Sequence, residues 1–177
     1  MKDVVIIKPS QFNDARGNIW TSFSGSLKDQ LFPEGLMFVH DKFSCSARNV
    51  IRGIHFDDKS WKLVTCVYGS IVQIVADLRP NSKTFLKHQK FLIDSSEPTL
   101  LLLPPGVGNG YCVLSDEAVY HYKLAYDGEY ADADKQYTVL WNDPTLSIRW
   151  PVREPILSVR DTKASSLSDY LTNNMDP

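Results

Sequence analysis

Short apolar or alternating runs, each closed by turn-forming residues, dominate the middle of the chain. Residues 62–68 (KLVTCVY) and 70–78 (SIVQIVADL) flank Gly69, the pattern of a hairpin or tight connection, and Pro80-Asn81-Ser82 ends the second run. The stretches 84–93, 100–103, 110–114 and 118–126 follow, broken at Asp94-Ser95-Ser96, at 104–108 and at Ser115-Asp116. Short strands at this spacing predict an all-β sandwich or barrel rather than βαβ repeats. Alternation within 118–126 puts Ala118, Tyr120, Tyr122 and Leu124 on one face and Val119, His121 and Lys123 on the other. An inward face that carries phenol hydroxyls is either a core with its polar tips satisfied or the wall of a ligand cavity. Helices are expected to be few and peripheral: a turn at 27–32 before Pro33, and a weakly amphipathic helix at 164–171. The tail, 173–177, is expected to fray. No repeat, low-complexity tract or linker interrupts the chain, so residues 1–177 are expected to form a single domain.

Charge narrows the range of partners. A formal net charge of −2 gives no general attraction to nucleic acid or to an anionic membrane, although a local basic pocket could still hold a phosphorylated small molecule. The apolar run in MKDVVIIKPS is too short for a signal peptide, and the later run at 100–103 stops at Pro104-Pro105, so no membrane span is expected. Cys45, Cys66 and Cys112 are odd in number, widely spaced and set in strand-like surroundings. With no CxxC or CxxH pair, neither a disulfide framework nor a structural zinc site is expected, and a reducing, cytoplasmic setting is the default.

The histidines, at positions 40, 55, 88 and 121, form no HxH or HExxH pair, so no metal centre is expected. His55 has the densest chemical neighbourhood. In Arg52-Gly53-Ile54-His55 a guanidinium and an imidazole stand three residues apart around a glycine that permits close packing or the approach of a ligand. Taken alone, that segment reads better as an ordinary strand-end histidine with a solvated arginine.

The segments around it change that balance. FNDARGNIW, FVHDKFSCS, NVIRGIHF, WKLVTCVYGSIVQIVADLRPNSKTF, LLLPPGVGNGYCVLSDEAVYHYK, LWNDPTLSIRWP and ILSVRD occur in an order that resembles the dTDP-4-dehydrorhamnose 3,5-epimerase family across residues 12–163. The resemblance implies a cupin jelly-roll β-sandwich or barrel, a homodimer, and epimerisation of a nucleotide-linked 4-keto-6-deoxy sugar without a cofactor. It makes His55 the general base and Asp161, in ILSVRD, the carboxylate that orients it. Tyr122, in HYK, falls at the proton-donating tyrosine. Lys62 and Arg52 fall at cations lining the sugar site, Arg16, in DARG, at a residue that contacts the nucleotide sugar, and Ser158 in the same site-forming segment as Asp161.

The implied chemistry needs these residue types. A ketone at sugar carbon 4 acidifies the hydrogens on carbons 3 and 5, and removal of either leaves an enolate. An imidazole titrating near neutrality suits proton removal, and a buried aspartate fixes its tautomer and stabilises the imidazolium. A preorganised cation at the developing oxyanion is worth about 3–4 kcal/mol by analogy with oxyanion donors, and a phenol on the opposite face can return the proton with inversion.

Several positions depart from the family pattern. Asn109 stands in GVGNGY where the family has a histidine, so hydrogen bonding can persist there but acid–base work cannot. His40 and Lys42 replace Gln and Asn as ligand-site residues, Gln136 replaces a Glu, and the usual Tyr-Tyr pair is displaced, leaving Tyr126 and Tyr130 as candidates. These changes make the expected pocket rim more positive and point to a shifted specificity, with a GDP-linked 4-keto-6-deoxy heptose the leading alternative to the usual dTDP hexose. Two other functions compete with epimerisation: a cupin 3,4-ketoisomerase, and a non-catalytic module that binds a sugar nucleotide. The product's place in surface-polysaccharide sugar biosynthesis is a further expectation.

Overall fold

The uninterrupted apolar runs become strands covered on both faces, which is why they lack a two-residue alternation. In the computed structural model, which describes residues 1–130 and 135–174, twelve strands and three short helices occur in the order β1 (Val5–Ile7), β2 (Gln11–Asp14), β3 (Gly17–Trp20), α1 (Gly25–Leu31), β4 (His40–Ala47), β5 (Ile51–Phe56), β6 (Trp61–Tyr68), β7 (Ser70–Asp77), β8 (His88–Asp94), β9 (Leu100–Leu103), β10 (Val107–Val113), β11 (Glu117–Ala125), β12 (Tyr137–Thr138), α2 (Val159–Thr162) and α3 (Leu167–Asn174). One antiparallel sheet has the order β1-β9-β6-β11-β4 and the other the order β12-β5-β10-β7-β8, while β2 and β3 form a separate hairpin. Every residue of β7 from Ile71 onward is buried: Val75 and Ile71 pack between the sheets with Val64, Cys66 and Tyr120, and Val72, Ile74 and Ala76 pack outward under Val139, Leu146 and Leu167. A third cluster, Leu63, Leu100 and Leu102 with Phe32, closes the outer face of the first sheet.

The all-β sandwich and the faces of β11 agree with the sequence pattern. Tyr120 and Leu124 are buried between the sheets, whereas His121 and Lys123 both turn outward to the Asp41 carboxylate. Boundaries differ where local polar bonds outbid the apolar pattern. The expected strand at 84–93 begins only at His88, because the hydroxyls of Ser82 and Thr84 both donate to Asp77 and Leu86 takes a positive φ of 62°, which holds 82–87 as a turn. The strand expected at 110–114 starts earlier, at Val107, whose ladder with Asp77 brings Asn109 into β10. The turn at 27–32 is a helix from Gly25, capped by Ser24 Oγ, which accepts from Leu27 N at 3.1 Å. The helix at 164–171 begins at Leu167, since Ser165 bridges to Val139 and Ser166 Oγ caps the first turn through Asp169 N. Of the tail expected to fray, 173 and 174 close α3, and 175–177 lie outside the described residues.

Cys45, Cys66 and Cys112 sit in three different strands as free thiols; burial pushes the last two up to about 11. No helix among the described residues is long and apolar enough to cross a membrane.

Candidate active site

Between the sheets, at the end where β4, β5, β10 and β11 meet α2, lies a cavity of about 380 Å³. Its walls are tyrosines, Tyr111, Tyr120 and Tyr122, and its charged groups are Lys42, Arg52, Lys62, Arg160 and Asp161, with His55 and Asn109 beside them.

A backbone irregularity puts both Arg52 and His55 there. Residues three apart on a regular strand face opposite sides. At Gly53, φ is +122°, and the pairing of β5 with β10 slips between Asn109 and Tyr111, so Arg52 and His55 both face the cavity while Ile54 and Phe56 pack outward. A Cβ at Gly53 would stand 2.6 Å from both Asn109 O and Gly110 Cα. Gly53→Ala is therefore expected to destabilise the fold by about 2–4 kcal/mol and to misplace His55; a melting curve close to that of the unaltered protein would contradict this.

Asp161 comes from a polar segment that, on its own, reads as a solvated loop. It is instead 1% exposed, because Ser158 caps α2 and accepts from Asp161 N at 3.0 Å, turning the carboxylate inward. Asp161 Oδ1 lies 2.5 Å from His55 Nε2. Burial pushes the His55 imidazole below its ordinary value, with Asp161 opposing and Arg160 and Lys62 adding to the effect. Burial alone would raise Asp161, but the His55 bond, Ser158 and Arg160 bring it below the usual carboxylate range. An ionised carboxylate at that distance requires the proton on Nε2, which leaves Nδ1 as a lone pair on a neutral imidazole. The pair can accept a proton and stabilise the resulting cation.

Lys62 is buried and ion-paired with Asp57 at 3.2 Å; burial lowers its ammonium and Asp57 opposes that. Arg52 Nε donates to Ser46 Oγ at 3.0 Å, which aims the guanidinium along β4. Burial raises Tyr122 above an ordinary phenol, only partly offset by the Lys42 charge, so it carries its proton at neutral pH and can give it up to a strong base. Lys42 Nζ donates to Tyr130 OH at 2.6 Å at the cavity wall.

Of the sequence candidates, His55, Asp161, Tyr122, Lys62, Arg52, Lys42, Asn109, Ser158, Gln136 and Tyr130 converge on the cavity. His40 and Arg16 do not. His40 Nδ1 meets Tyr126 OH at 2.6 Å, and its ring packs 4.4 Å from that of Tyr130, so it acts behind the wall. Arg16 sits fully exposed at the tip of the β2–β3 hairpin, bonded to Asp14. Sequence reasoning missed Arg160, Asp57, Ser44 and Gln73. Only Gln73, a lone amide in SIVQIVADL, carried a signal that could have found it. No group of three or more metal-ligating side chains occurs among the described residues.

The model of the dTDP-4-dehydrorhamnose 3,5-epimerase family matches residues 1–169. The chain belongs to that family. It is accordingly an isomerase of the sugar-epimerase kind. It is 33% identical to the dTDP-4-dehydrorhamnose 3,5-epimerase of Escherichia coli over 97% of this chain and 93% of that one. It is 34% identical to a dTDP-4-dehydrorhamnose 3-epimerase of Streptomyces niveus, over 92% of this chain and 79% of that one. The structure of dTDP-6-deoxy-D-glucose-3,5-epimerase from Legionella pneumophila in complex with dTDP-4-keto-L-rhamnose superposes with a TM-score of 0.88 at 29% identity, covering 99% of this chain and 91% of that one. The sandwich is thus the cupin fold of these epimerases.

Proposed function

We propose that this epimerase inverts carbon 3, carbon 5 or both of a nucleotide-linked 4-keto-6-deoxy sugar through an enolate, without a cofactor. The observation that carries the reading is the part-buried His55–Asp161 pair opening onto a cavity whose other polar groups include phenols and cations. His55 removes the proton next to the ketone, and Asp161 holds the imidazole and its positive charge. Lys62 or Arg52 faces the oxyanion, and Tyr122 returns a proton from the other side. Inversion at a second carbon needs release of the first proton before the next abstraction, and the Streptomyces relative is named for carbon 3 alone.

The names of the relatives favour a dTDP-linked hexose. Lys42 and Gln136 both line the cavity and both depart from the family pattern, which keeps a GDP-linked 6-deoxy-4-keto-heptose as the second reading; their added positive character suits the diphosphate of either nucleotide. Incubation with the two substrates side by side decides between them: turnover of the dTDP hexose at least tenfold faster supports the first reading, and preference for the GDP heptose reverses it.

Arg16 reaches a nucleotide sugar only if a second copy brings its hairpin to the cavity. Exposed Phe12 and Ile19, paired across that hairpin, offer the apolar surface for a homodimer. A cytoplasmic location and a role in surface-polysaccharide sugar supply fit a nucleotide-sugar substrate.

A further inference from the structure

The β10 strand places Asn109 directly opposite His55 in the pairing with β5, with its side chain on the same cavity. The orientation of its amide is dictated from behind. Gln73 is 0% exposed, and its Nε2 lies 3.0 Å from Ile74 O, 2.9 Å from Gly110 O and 2.7 Å from Asn109 Oδ1. The first two are backbone carbonyls, which only accept, so the Gln73 atom facing them must be the nitrogen. The Asn109 atom facing that nitrogen must then be the oxygen. Tyr120 OH donates to the same oxygen at 3.1 Å. Its ring is itself clamped, stacked 4.3 Å from Tyr111, whose hydroxyl meets Ser44 and Ser46.

Gln73 Nε2 shares its two hydrogens among these three acceptors, so Asn109 Oδ1 faces two donors, Gln73 and Tyr120, while its Nδ2 has no partner among the described residues. Gln73 accepts a cost for this arrangement, because its Oε1 is buried without a hydrogen bond among the described residues. A buried amide that leaves its own oxygen unsatisfied while fixing a neighbour's polarity is the mark of a positioning residue rather than of a packing one.

We propose that Gln73 and Tyr120 lock Asn109 as a fixed, uncharged N–H donor to an oxygen of the bound sugar beside the carbon that His55 deprotonates, making Asn109 a determinant of which sugar the cavity accepts. The proposal rests on the epimerase reading. A sugar that presents an oxygen acceptor there is held in register with His55, and one that presents only a hydrogen or an apolar group leaves Nδ2 unpaired in a dry site. Loss of such a pairing discriminates strongly between ligands, because the stranded polar group cannot return to water.

Two measurements test it on the full chain. The first is calorimetric binding of an unreactive 4-hydroxy dTDP-6-deoxy sugar, which needs no turnover. The second is steady-state epimerisation. Asn109→Asp keeps the oxygen that Gln73 and Tyr120 address but removes the donor; it should stay folded, bind the unreactive sugar at least tenfold more weakly, and lose about 10²–10³-fold in kcat/KM. Gln73→Met and Tyr120→Phe keep the charge of the site and free Asn109 to rotate. They should raise KM several-fold with kcat nearly unchanged, a split that general destabilisation does not produce. Asn109→His, which again offers an N–H, should recover most of the binding lost in Asn109→Asp. Binding by Asn109→Asp equal to that of the unaltered protein, or an unchanged KM in both Gln73→Met and Tyr120→Phe, would overturn the proposal. Weakened binding in Asn109→Asp and in Gln73→Met, with no turnover by the unaltered protein, would sustain the donor and reject the epimerase reading.

Discussion

Asp161→Asn is expected to lower proton abstraction by about 10⁴-fold, by analogy with the loss seen when the orienting aspartate of a Ser-His-Asp triad becomes an amide. The reason lies in the short contact between Asp161 Oδ1 and His55 Nε2. An ionised carboxylate there requires the hydrogen on Nε2 and keeps Nδ1 as the base. An amide can offer its own hydrogen to Nε2 instead, which stabilises the wrong tautomer and removes the charge that would balance an imidazolium. His55→Asn should cost at least as much, and the double substitution no more than His55→Asn alone, because the two residues act as one unit. Folding should be affected far less than activity. The pH dependence follows from the same pair. His55 works as a base only when neutral, and burial holds it below its ordinary value, so kcat/KM should be full at pH 7 and fall as the pH drops through a value below about 6.5. Since Asp161 opposes that lowering, residual activity of Asp161→Asn should fall off at still lower pH. An acid limb that moves upward in Asp161→Asn, or epimerisation within threefold of the unaltered protein, would remove Asp161 from its role.

Tyr122→Phe is expected to separate the two halves of the reaction. Loss of the hydroxyl leaves His55, Asp161 and Lys62 in place, so proton removal continues, while return of a proton from the other face loses a general acid worth about 10²–10⁴-fold. Solvent deuterium should enter the recovered substrate with its configuration retained, and inverted product should fall by two or more orders of magnitude. The Tyr122 ring has room to lose its oxygen without a cavity in the core, because it is half-buried at the cavity wall rather than closed over like Tyr120. Normal yields of inverted product from Tyr122→Phe would assign the proton return to another group, with Tyr130 a further phenol on the cavity wall.

The fold was legible because its signals are local. The runs at 62–68 and 70–78 became β6 and β7 within a residue, and the alternation at 118–126 put Tyr120, Tyr122 and Leu124 on one inward face of β11, without choosing between core and cavity wall. What the pattern could not show depends on contacts distant in sequence. His55 and Asp161 lie 106 residues apart, and nothing in a polar C-terminal stretch says that Ser158 will cap a four-residue helix and turn Asp161 inward. Parity failed at Arg52 and His55, where strict alternation puts the two on opposite faces and only the slip at Gly53 reunites them. Arg160 escaped notice because an arginine beside the site aspartate looks like any solvated charge; Thr138 and Gln136, far away in the chain, draw it across the cavity mouth. The resemblance supplied the pairing of base and carboxylate that periodicity could not. It gave no sign that Asn109 would find its partner in Gln73.

The enolate mechanism at a 4-keto sugar is tested most directly by position-resolved deuterium incorporation from heavy water into a dTDP-linked 4-keto-6-deoxy hexose, with the unaltered protein and His55→Asn run in parallel. The expected result is label at carbon 3, carbon 5 or both, and nowhere else, with none above background for His55→Asn. Inverted product without label, or equal labelling by the two proteins, would contradict the assignment of His55 as the base.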